Sequence, residues 1–217
     1  MTQPTVYLRV NRVAAEVCAQ ARDVTVADLH ESTAQLRYTG LMAPRIRRIT
    51  PGSKVAGPAV TAFCPSGDNL MMHRALRLAQ PGDVLVVVCQ GETSAAQWGD
   101  VATRYALEQR LAGVVVQGCV RDVDTVTALG FHVWASLVWP IHADKAKAGA
   151  VNVPVVCGDV TVNPGDLVVA DGDGVVVVPR LRAAEVVEKS LRREREEAVI
   201  LQRLQAGEST MQVYGFH

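Results

Sequence analysis

Two rhythms of apolar residues alternate along the middle of this chain. Val55 to Cys64, Asp83 to Cys89, Gly113 to Gly118 and Phe131 to Val138 are short runs, nearly continuous in Val, Leu, Ala and Cys. Asp68 to Ala79, Trp98 to Leu111 and Arg121 to Leu129 instead follow a helical period, as with Leu70, Met71, Arg74, Ala75 and Leu78, all but Arg74 apolar. Continuous runs predict strands buried on both faces, and the wider spacing predicts helices with one apolar face. Strand and helix in alternation imply a mostly parallel sheet covered by helices. Pro58 lacks the N–H that a central strand donates, so the first strand is expected at an edge or a bulge.

The flanks read differently. Asn11 to Ala21 and Thr25 to Gln35 carry helical spacing, with Thr25 placed as an N-cap and Asp28 inside the first turn. Gly40 to Gly52 holds Pro44, Pro51, Arg45, Arg47 and Arg48, with Arg37 just before it, and predicts an irregular basic loop. Val151 to Val162, Leu167 to Ala170 and Gly174 to Val178 are short apolar runs that predict strands. Gln80-Pro81-Gly82-Asp83 and Asn163-Pro164-Gly165-Asp166 each precede such a run, and Pro-Gly at the two central positions predicts type II turns. Asp171 to Gly174 predicts a hairpin turn; the rest of a calcium loop is missing around Asp171 and Asp173. Gly130 suits a helix C-terminus, and Pro179 ends the last strand. Arg182 to Leu204 then reads as one long charged helix with Glu185–Lys189 and Glu188–Arg192 pairs four apart. Its apolar stripe of Val186, Val187, Leu191, Ala198 and Leu201 is thin. Such a helix is expected to lie across a neighbouring subunit.

Composition narrows the class. Lys plus Arg and Asp plus Glu are 22 each, so the basic excess that nucleic acid or an anionic membrane requires is missing. No run of about 18 uncharged apolar residues occurs, so no membrane span is expected. Met1 to Val10 lacks a basic stretch followed by an apolar core, so no signal peptide is expected. Cys18, Cys64, Cys89, Cys119 and Cys157 are odd in number and form no closely spaced pair. They are expected as small buried hydrophobes in a reducing cytoplasm, not as disulfides or metal ligands. Residues 1–217 are expected to form a single domain.

Much chemistry is absent. No GxGxxG follows a strand, and no GxxxxGK[ST], GxSxG or HExxH occurs. The histidines, His30, His73, His132, His142 and His217, are scattered and read as structural. Two segments remain, each following a strand: Gly91 to Asp100, which ends in Trp98-Gly99-Asp100, and Gly118-Cys119-Val120-Arg121-Asp122. Ligands in open α/β sheets sit at the carboxyl ends of strands. The first segment offers N–H groups at a helix start, suited to an anion. Arg121 can grip a carboxylate or an enolate oxygen in bidentate fashion. Asp122 can hold a hard cation such as Mg²⁺, with Asp100 orienting a water nearby. An α-keto acid would suit such a set.

Asp100 and Arg121-Asp122 stand with Val101 to Val120 between them, an Asp, twenty residues, then Arg-Asp. With Thr39-Gly40-Leu41-Met42, Gly67-Asp68-Asn69, Pro81 to Val87, Val151-Asn152-Val153-Pro154-Val155, Asn163 to Asp166 and Ala170 to Pro179, the chain resembles the RraA-like superfamily over about residues 25–215. Within it, the chain is most similar to the class II pyruvate aldolases that act on 4-hydroxy-4-methyl-2-oxoglutarate and 4-carboxy-4-hydroxy-2-oxoadipate. The resemblance implies an αββα sandwich like the swivelling phosphohistidine domain, assembled as a homotrimer or homohexamer. It implies a Mg²⁺- or Mn²⁺-dependent lyase that releases pyruvate through its enolate and also decarboxylates oxaloacetate. Asp122 would ligate the metal. Asp100 would reach it through water, as would Glu197, with Glu194 next, from a neighbouring subunit's C-terminal helix. Arg121, Gly99, Val101 and Ala102 would bind the pyruvyl group. The same scaffold also accommodates other enolising lyases, decarboxylases or tautomerases, and non-catalytic ribonuclease regulators. The chain departs from the family pattern at Gln117-Gly118-Cys119, at Val101-Ala102, where Leu is usual, at His132, where Pro is usual, and at Val138-Trp139-Pro140-Ile141-His142.

Overall fold

A computed structural model describes residues 3–34 and 39–216. Gln35, at the end of the expected second helix, Arg37 of the basic loop and His217 lie outside them. The chain opens with β1 (Thr5–Val6), α1 (Ala15–Ala21), α2 (Val26–Ala34) and β2 (Arg47–Arg48). There follow β3 (Val55–Cys64), α3 (Leu70–Leu78), β4 (Val84–Cys89), β5 (Ala96–Trp98), α4 (Asp100–Glu108), β6 (Gly113–Val120), α5 (Val123–Ala128) and β7 (Val133–Val138). The last part holds β8 (Ala150–Val151), β9 (Val155–Cys157), β10 (Val160–Val162), β11 (Leu167–Ala170), β12 (Val175–Val178), α6 (Ala183–Gln205) and α7 (Thr210–Tyr214).

β3, β4, β6 and β7 pair side by side and in parallel, as the alternation predicts. Their valines look uniform in sequence, but the pleat sends successive side chains to opposite faces. Leu85 and Val87 meet α3, α4 and α5 in one core, with Met71, Leu76, Ala106, Val126 and Phe131. Val84, Val86 and Val88 meet β9 to β12 in a second core, with Val155, Val162, Val168 and Val177. The outer face of the β11–β12 hairpin, Leu167, Val169, Val176 and Val178, packs on α1, α2 and the start of α6 in a third. The result is an αββα sandwich.

The two strand layers are joined by β3. Val55 to Pro58 pairs antiparallel with β11, and Ala59 to Cys64 pairs parallel with β4. Pro58 therefore marks a change of layer rather than an edge or a bulge, and there its missing N–H is no loss to a ladder. Close approach also fixes the residue beside it. A Cβ at Gly57 would stand 2.1 Å from the Gly82 carbonyl oxygen.

Both Pro-Gly-Asp sequences are type II turns. Gly82 and Gly165 have φ of +86° and +88°, and Asp83 and Asp166 donate their N–H to Gln80 and Asn163. Each Asp side chain closes its own turn by accepting from the backbone N–H of Gln80 or Asn163. Asp83 also receives Nε and Nη2 of Arg12, both at 2.8 Å, which ties the segment before α1 to the sheet. Thr25 caps α2 as expected, accepting the Asp28 N–H at 3.1 Å. Asp171 Oδ1 and Oδ2 accept N–H groups of Asp173 and Val26, a turn and a helix start rather than a calcium loop.

Several expectations are corrected. Val151 to Val162 is not one strand, because Gly158 and Asp159 at φ of +54° and +65° turn β9 into β10. Trp98 ends a strand and does not begin a helix. The basic loop contains β2, which pairs with β7. On α6 the Glu185–Lys189 pair forms, while Glu188 and Arg192 do not pair with each other. The neighbouring Arg193 instead bonds Glu31, Asp28 and Glu197, pinning α6 to α2. Beyond Leu191 the helix buries little, and Val199 and Leu201 are exposed.

All five cysteines are free and buried. Burial pushes the thiols of Cys64 and Cys157 up to about 12, so they stay protonated at neutral pH. No helix among the described residues is long and apolar enough to cross a membrane.

Arg12→Ala leaves the nearly solvent-free Asp83 carboxylate without its cation. We expect a loss of about 3 kcal/mol in urea-induced unfolding; a loss below about 0.5 kcal/mol would mean the pair does not anchor the N-terminal segment.

Candidate active site

The site begins with a register shift. Between Val116 and Cys119 the pairing of β6 with β7 slips, and Gly118 sits at φ +152°, a backbone that favours glycine. On its other edge, beyond Gln117 where the pairing with β4 ends, β6 pairs with the short β5, Ala96 with Cys119 and Trp98 with Val120. The Arg121 N–H then donates to the Trp98 carbonyl at 2.9 Å. Gly99-Asp100 and Arg121-Asp122 are thereby set side by side at neighbouring strand ends. Trp98 anchors them from below: it stacks on Phe131 at 5.6 Å and donates its indole N–H to Thr103 at 2.8 Å.

Asp122 occupies the left-handed region at φ +58°. That conformation costs an L-residue roughly 1 kcal/mol, least for Asn and Asp, and such strain concentrates at functional sites. Its Oδ2 accepts the Asp100 N–H at 3.2 Å and lies 3.4 Å from Arg121 Nε. A Cβ at Gly99 would meet that same oxygen at 2.5 Å, so only glycine leaves the carboxylate in place. Asp100 lies 3.9 Å from Arg104. The N-cap residue of α4, Gly99, offers no side chain, so beyond the Asp100 N–H taken by Asp122 the first-turn N–H groups of Val101 and Ala102 remain for a ligand.

Arg121, Asp122, Asp100, Gly99, Val101 and Ala102 all line one cleft of about 190 Å³. The segments picked out along the sequence are thus brought together. Glu197 and Glu194 are not. They lie on α6, on the opposite helical layer of the same chain, and Glu197 is held by Arg193 at 3.2 Å.

The cleft also gathers residues that sequence reasoning passed over: Asn69, His73, Gln97, His142 and Lys145. In sequence, Asn69 stands out only within Gly67-Asp68-Asn69, and His73 and His142 read as structural. Asp68 explains how they meet. Its side chain is fully buried and accepts N–H groups of Leu70 at 2.8 Å, Ala146 at 2.6 Å and Lys147 at 3.0 Å. Asn69 and Asp144 N–H groups bond the carbonyls of Asp144 and Gly67, zipping the two segments together. Burial alone would raise the Asp68 pKa. The three N–H groups and the charge of Lys147 outweigh it and hold the carboxyl below its ordinary value. His73 is lowered, first by burial and then by Lys145, so its imidazole is uncharged at neutral pH.

The donor set suits a hard divalent ion. Asp122 and Asp100 supply carboxylate oxygen, and Mg²⁺ takes one or two protein carboxylates while keeping several waters. No cluster of three His, Cys, Asp or Glu exists among the described residues, which disfavours a closed zinc-type site within one chain.

Residues 21–177 match the RraA-like family model, described as Aldolase/RraA. The chain belongs to the RraA-like family. A protein of Halalkalibacterium halodurans named "Putative 4-hydroxy-4-methyl-2-oxoglutarate aldolase" is 36% identical over 152 residues, covering 70% of this chain and 72% of that one. An uncharacterized protein from Pseudomonas syringae has a solved structure that superposes with a TM-score of 0.86 at 28% identity, covering 96% of this chain and 97% of that one. Streptomyces coelicolor RraAS2, described as an unusual member of the RNase ES inhibitor RraA family, gives 0.80 at 34% identity over 88% and 100%. The RraA-like sandwich is therefore common to proteins described as aldolases and as ribonuclease inhibitors.

Two outcomes follow from the geometry. Gly99→Ala should shift stability by less than about 1 kcal/mol, because the atom its methyl meets is a side-chain end, yet it should displace Asp122 and lower turnover at least about tenfold. Unchanged turnover would show that the close approach serves only packing. Asp68→Asn should be less stable than the parent at pH 7. A lowered carboxyl stabilises above its unfolded pKa and loses that contribution as pH falls through its folded one, so the gap should narrow below about pH 4 in thermal melts.

Proposed function

We propose that the protein is a divalent-metal-dependent aldolase, cleaving a 4-hydroxy-2-oxo acid to pyruvate and a second carbonyl compound, with oxaloacetate decarboxylation as a side reaction. The observation that carries this reading is the assembly of Asp100, Arg121 and Asp122 around one cleft, beside uncapped N–H groups. The name borne by the Halalkalibacterium halodurans relative supports it.

Asp122 and Asp100 would hold Mg²⁺ or Mn²⁺, which when bound supplies Lewis-acid polarisation of the 2-keto oxygen. The N–H groups of Val101 and Ala102 bind the pyruvyl carboxylate at the positive end of α4. The Arg121 guanidinium opposes the negative charge that develops on the keto oxygen. As the C4 hydroxyl loses its proton, the C3–C4 bond breaks, its electron pair forms the C2–C3 double bond, and the C4 carbonyl product leaves. Protonation at C3 then gives pyruvate. Decarboxylation of oxaloacetate passes through the same enolate, with carbon dioxide leaving instead. Asp100 moves the proton through water, and the hydrophobic layer of Trp98 and Phe131 beneath keeps bulk solvent from that side. One chain offers two carboxylates to the ion. We infer that Glu197 of a neighbouring copy approaches it through water, in a homotrimer or homohexamer of the cytoplasm.

The likeness to Streptomyces coelicolor RraAS2 favours a second reading, a ribonuclease-regulating binding protein. Against it stands the strained Asp122 and the glycine that makes room for it, which a protein-binding surface does not require.

The test is pyruvate release from oxaloacetate and from 4-hydroxy-4-methyl-2-oxoglutarate, with Mg²⁺ and then with excess EDTA. Release that EDTA stops is the expected result. Asp122→Asn tolerates the left-handed backbone and should keep the fold while losing at least about a hundredfold in kcat. Full activity in EDTA, or in that variant, would exclude the assigned metal site.

A further inference from the structure

A second concavity lies at the opposite end of the sheet from the active-site cleft. It has a volume of about 280 Å³ and sits at the amino ends of β3, β6 and β7, where Lys54, Ala112 and His132 lead into those strands. Leu107, Leu111 and Phe131 give it an apolar wall. Lys54 and Arg22, the residue that ends α1, border it, and both are exposed.

Charge around this concavity is of one sign. No Asp or Glu lines it. Among the described residues, neither Arg22 nor Lys54 has an ion-pair partner. Unpaired like charges beside an apolar wall focus their field on an arriving anion.

His132 adds a directed donor. Thr50 Oγ1 accepts the Val133 N–H at 2.9 Å and lies 2.7 Å from Ser53 Oγ, which lies 3.1 Å from His132 Nδ1. Both hydroxyls are buried, and that of Thr50 has no other acceptor among the described residues. Thr50 therefore donates to Ser53 and Ser53 to Nδ1, which assigns the imidazole proton to Nε2. Burial lowers the pKa of the ring, so this is its form at neutral pH. The Nε2–H bonds no described residue and remains open to solvent.

We propose that this concavity is a second ligand site, which takes a small carboxylate carrying an apolar body. The carboxylate meets Arg22, Lys54 and the His132 Nε2–H, while the apolar body lies on Leu107, Leu111 and Phe131. The volume equals that of roughly nine waters, which suits an acid of about that many non-hydrogen atoms. The position also bears on the cleft. Phe131 stacks on Trp98, and Leu107 belongs to α4, whose first residue is Asp100. An occupant thus touches two of the parts on which the cleft rests. This inference does not depend on the aldolase reading.

The probe is benzoate, titrated onto the full chain and followed by saturation-transfer difference NMR. Benzoate should bind with a dissociation constant below about 10 mM. Acetate, which lacks the apolar body, and benzyl alcohol, which lacks the charge, should each bind at least about tenfold more weakly. Arg22→Met and Lys54→Met, combined in one protein, should weaken benzoate at least about tenfold. Both positions are exposed, so the melting temperature should not move. Arg121→Met removes the cleft's arginine instead and should leave the benzoate affinity within about twofold. Absence of benzoate binding, or equal binding of benzyl alcohol, would overturn the proposal. So would an affinity that survives the double substitution and is lost with Arg121→Met, because the acid would then be seated in the cleft.

Discussion

Burial of β3, β4, β6 and β7 on both faces is the constraint from which the rest of the structure follows. Three cores press on two strand layers, and charged side chains have no place along the middle of those strands. Val84 to Cys89 has every residue buried. Polar chemistry is therefore displaced to strand ends, where backbone groups are still free to bond ligands. Low aromatic content fits this arrangement. Valine fills thin spaces between layers, and three large rings, Trp98, Trp134 and Phe131, are fully buried. Trp134 even reaches through to donate its N–H to the Asp171 carbonyl at 2.8 Å.

The site exploits one irregularity in that order. β6 runs on beyond β4 at Gln117, and β5 takes the edge left there, which sets Asp100 beside Asp122. The slip against β7 near Gly118 costs ladder regularity in the same strand end. A left-handed Asp122 completes the turn into α5. Each feature is locally unfavourable, and each is compensated by Trp98, whose stacking and indole hydrogen bond hold β5 against the helices. Packing and chemistry meet in one residue that touches no reacting atom.

The alternating elements, the paired Pro-Gly-Asp turns, the Thr25 cap and the long terminal helix were legible in the sequence because each rests on neighbours within a few residues. The Asp100 and Arg121-Asp122 spacing was legible because it spans one helix and one strand. Other features rest on distant partners. Ala96 to Trp98 is a strand only because the end of β6 runs beyond β4 and offers it an edge. Pro58 reads as an edge signal, since nothing local reveals that β11 takes over the pairing there. The wall carrying Lys145 was invisible for the same reason: Asp68 reaches Ala146 and Lys147 across nearly eighty residues. An isolated Gly67-Asp68-Asn69 gives no hint of that clamp.

The residues by which this chain departs from the family pattern divide by what they touch. Gln117 Oε1 accepts the Gly158 N–H at 2.7 Å and fastens the β9–β10 hairpin to the sheet. Cys119 donates to the Glu92 carbonyl, and His132 meets Ser53 Oγ at 3.1 Å. None of the three lines the cleft, so toward the cleft they are substitutions of support. Val101, Ala102 and His142 do line it, and Val138 and Pro140 border the Arg121–Asp122 turn from the other side. Divergence at these positions changes the side chains on the cleft wall, while at Val101 and Ala102 it leaves the backbone N–H groups of the first turn of α4 in place. The structure thus builds the cleft from two walls of separate origin, one held by the β5–β6 junction and one by the Asp68 clamp, so that either can vary in side chains without undoing the other.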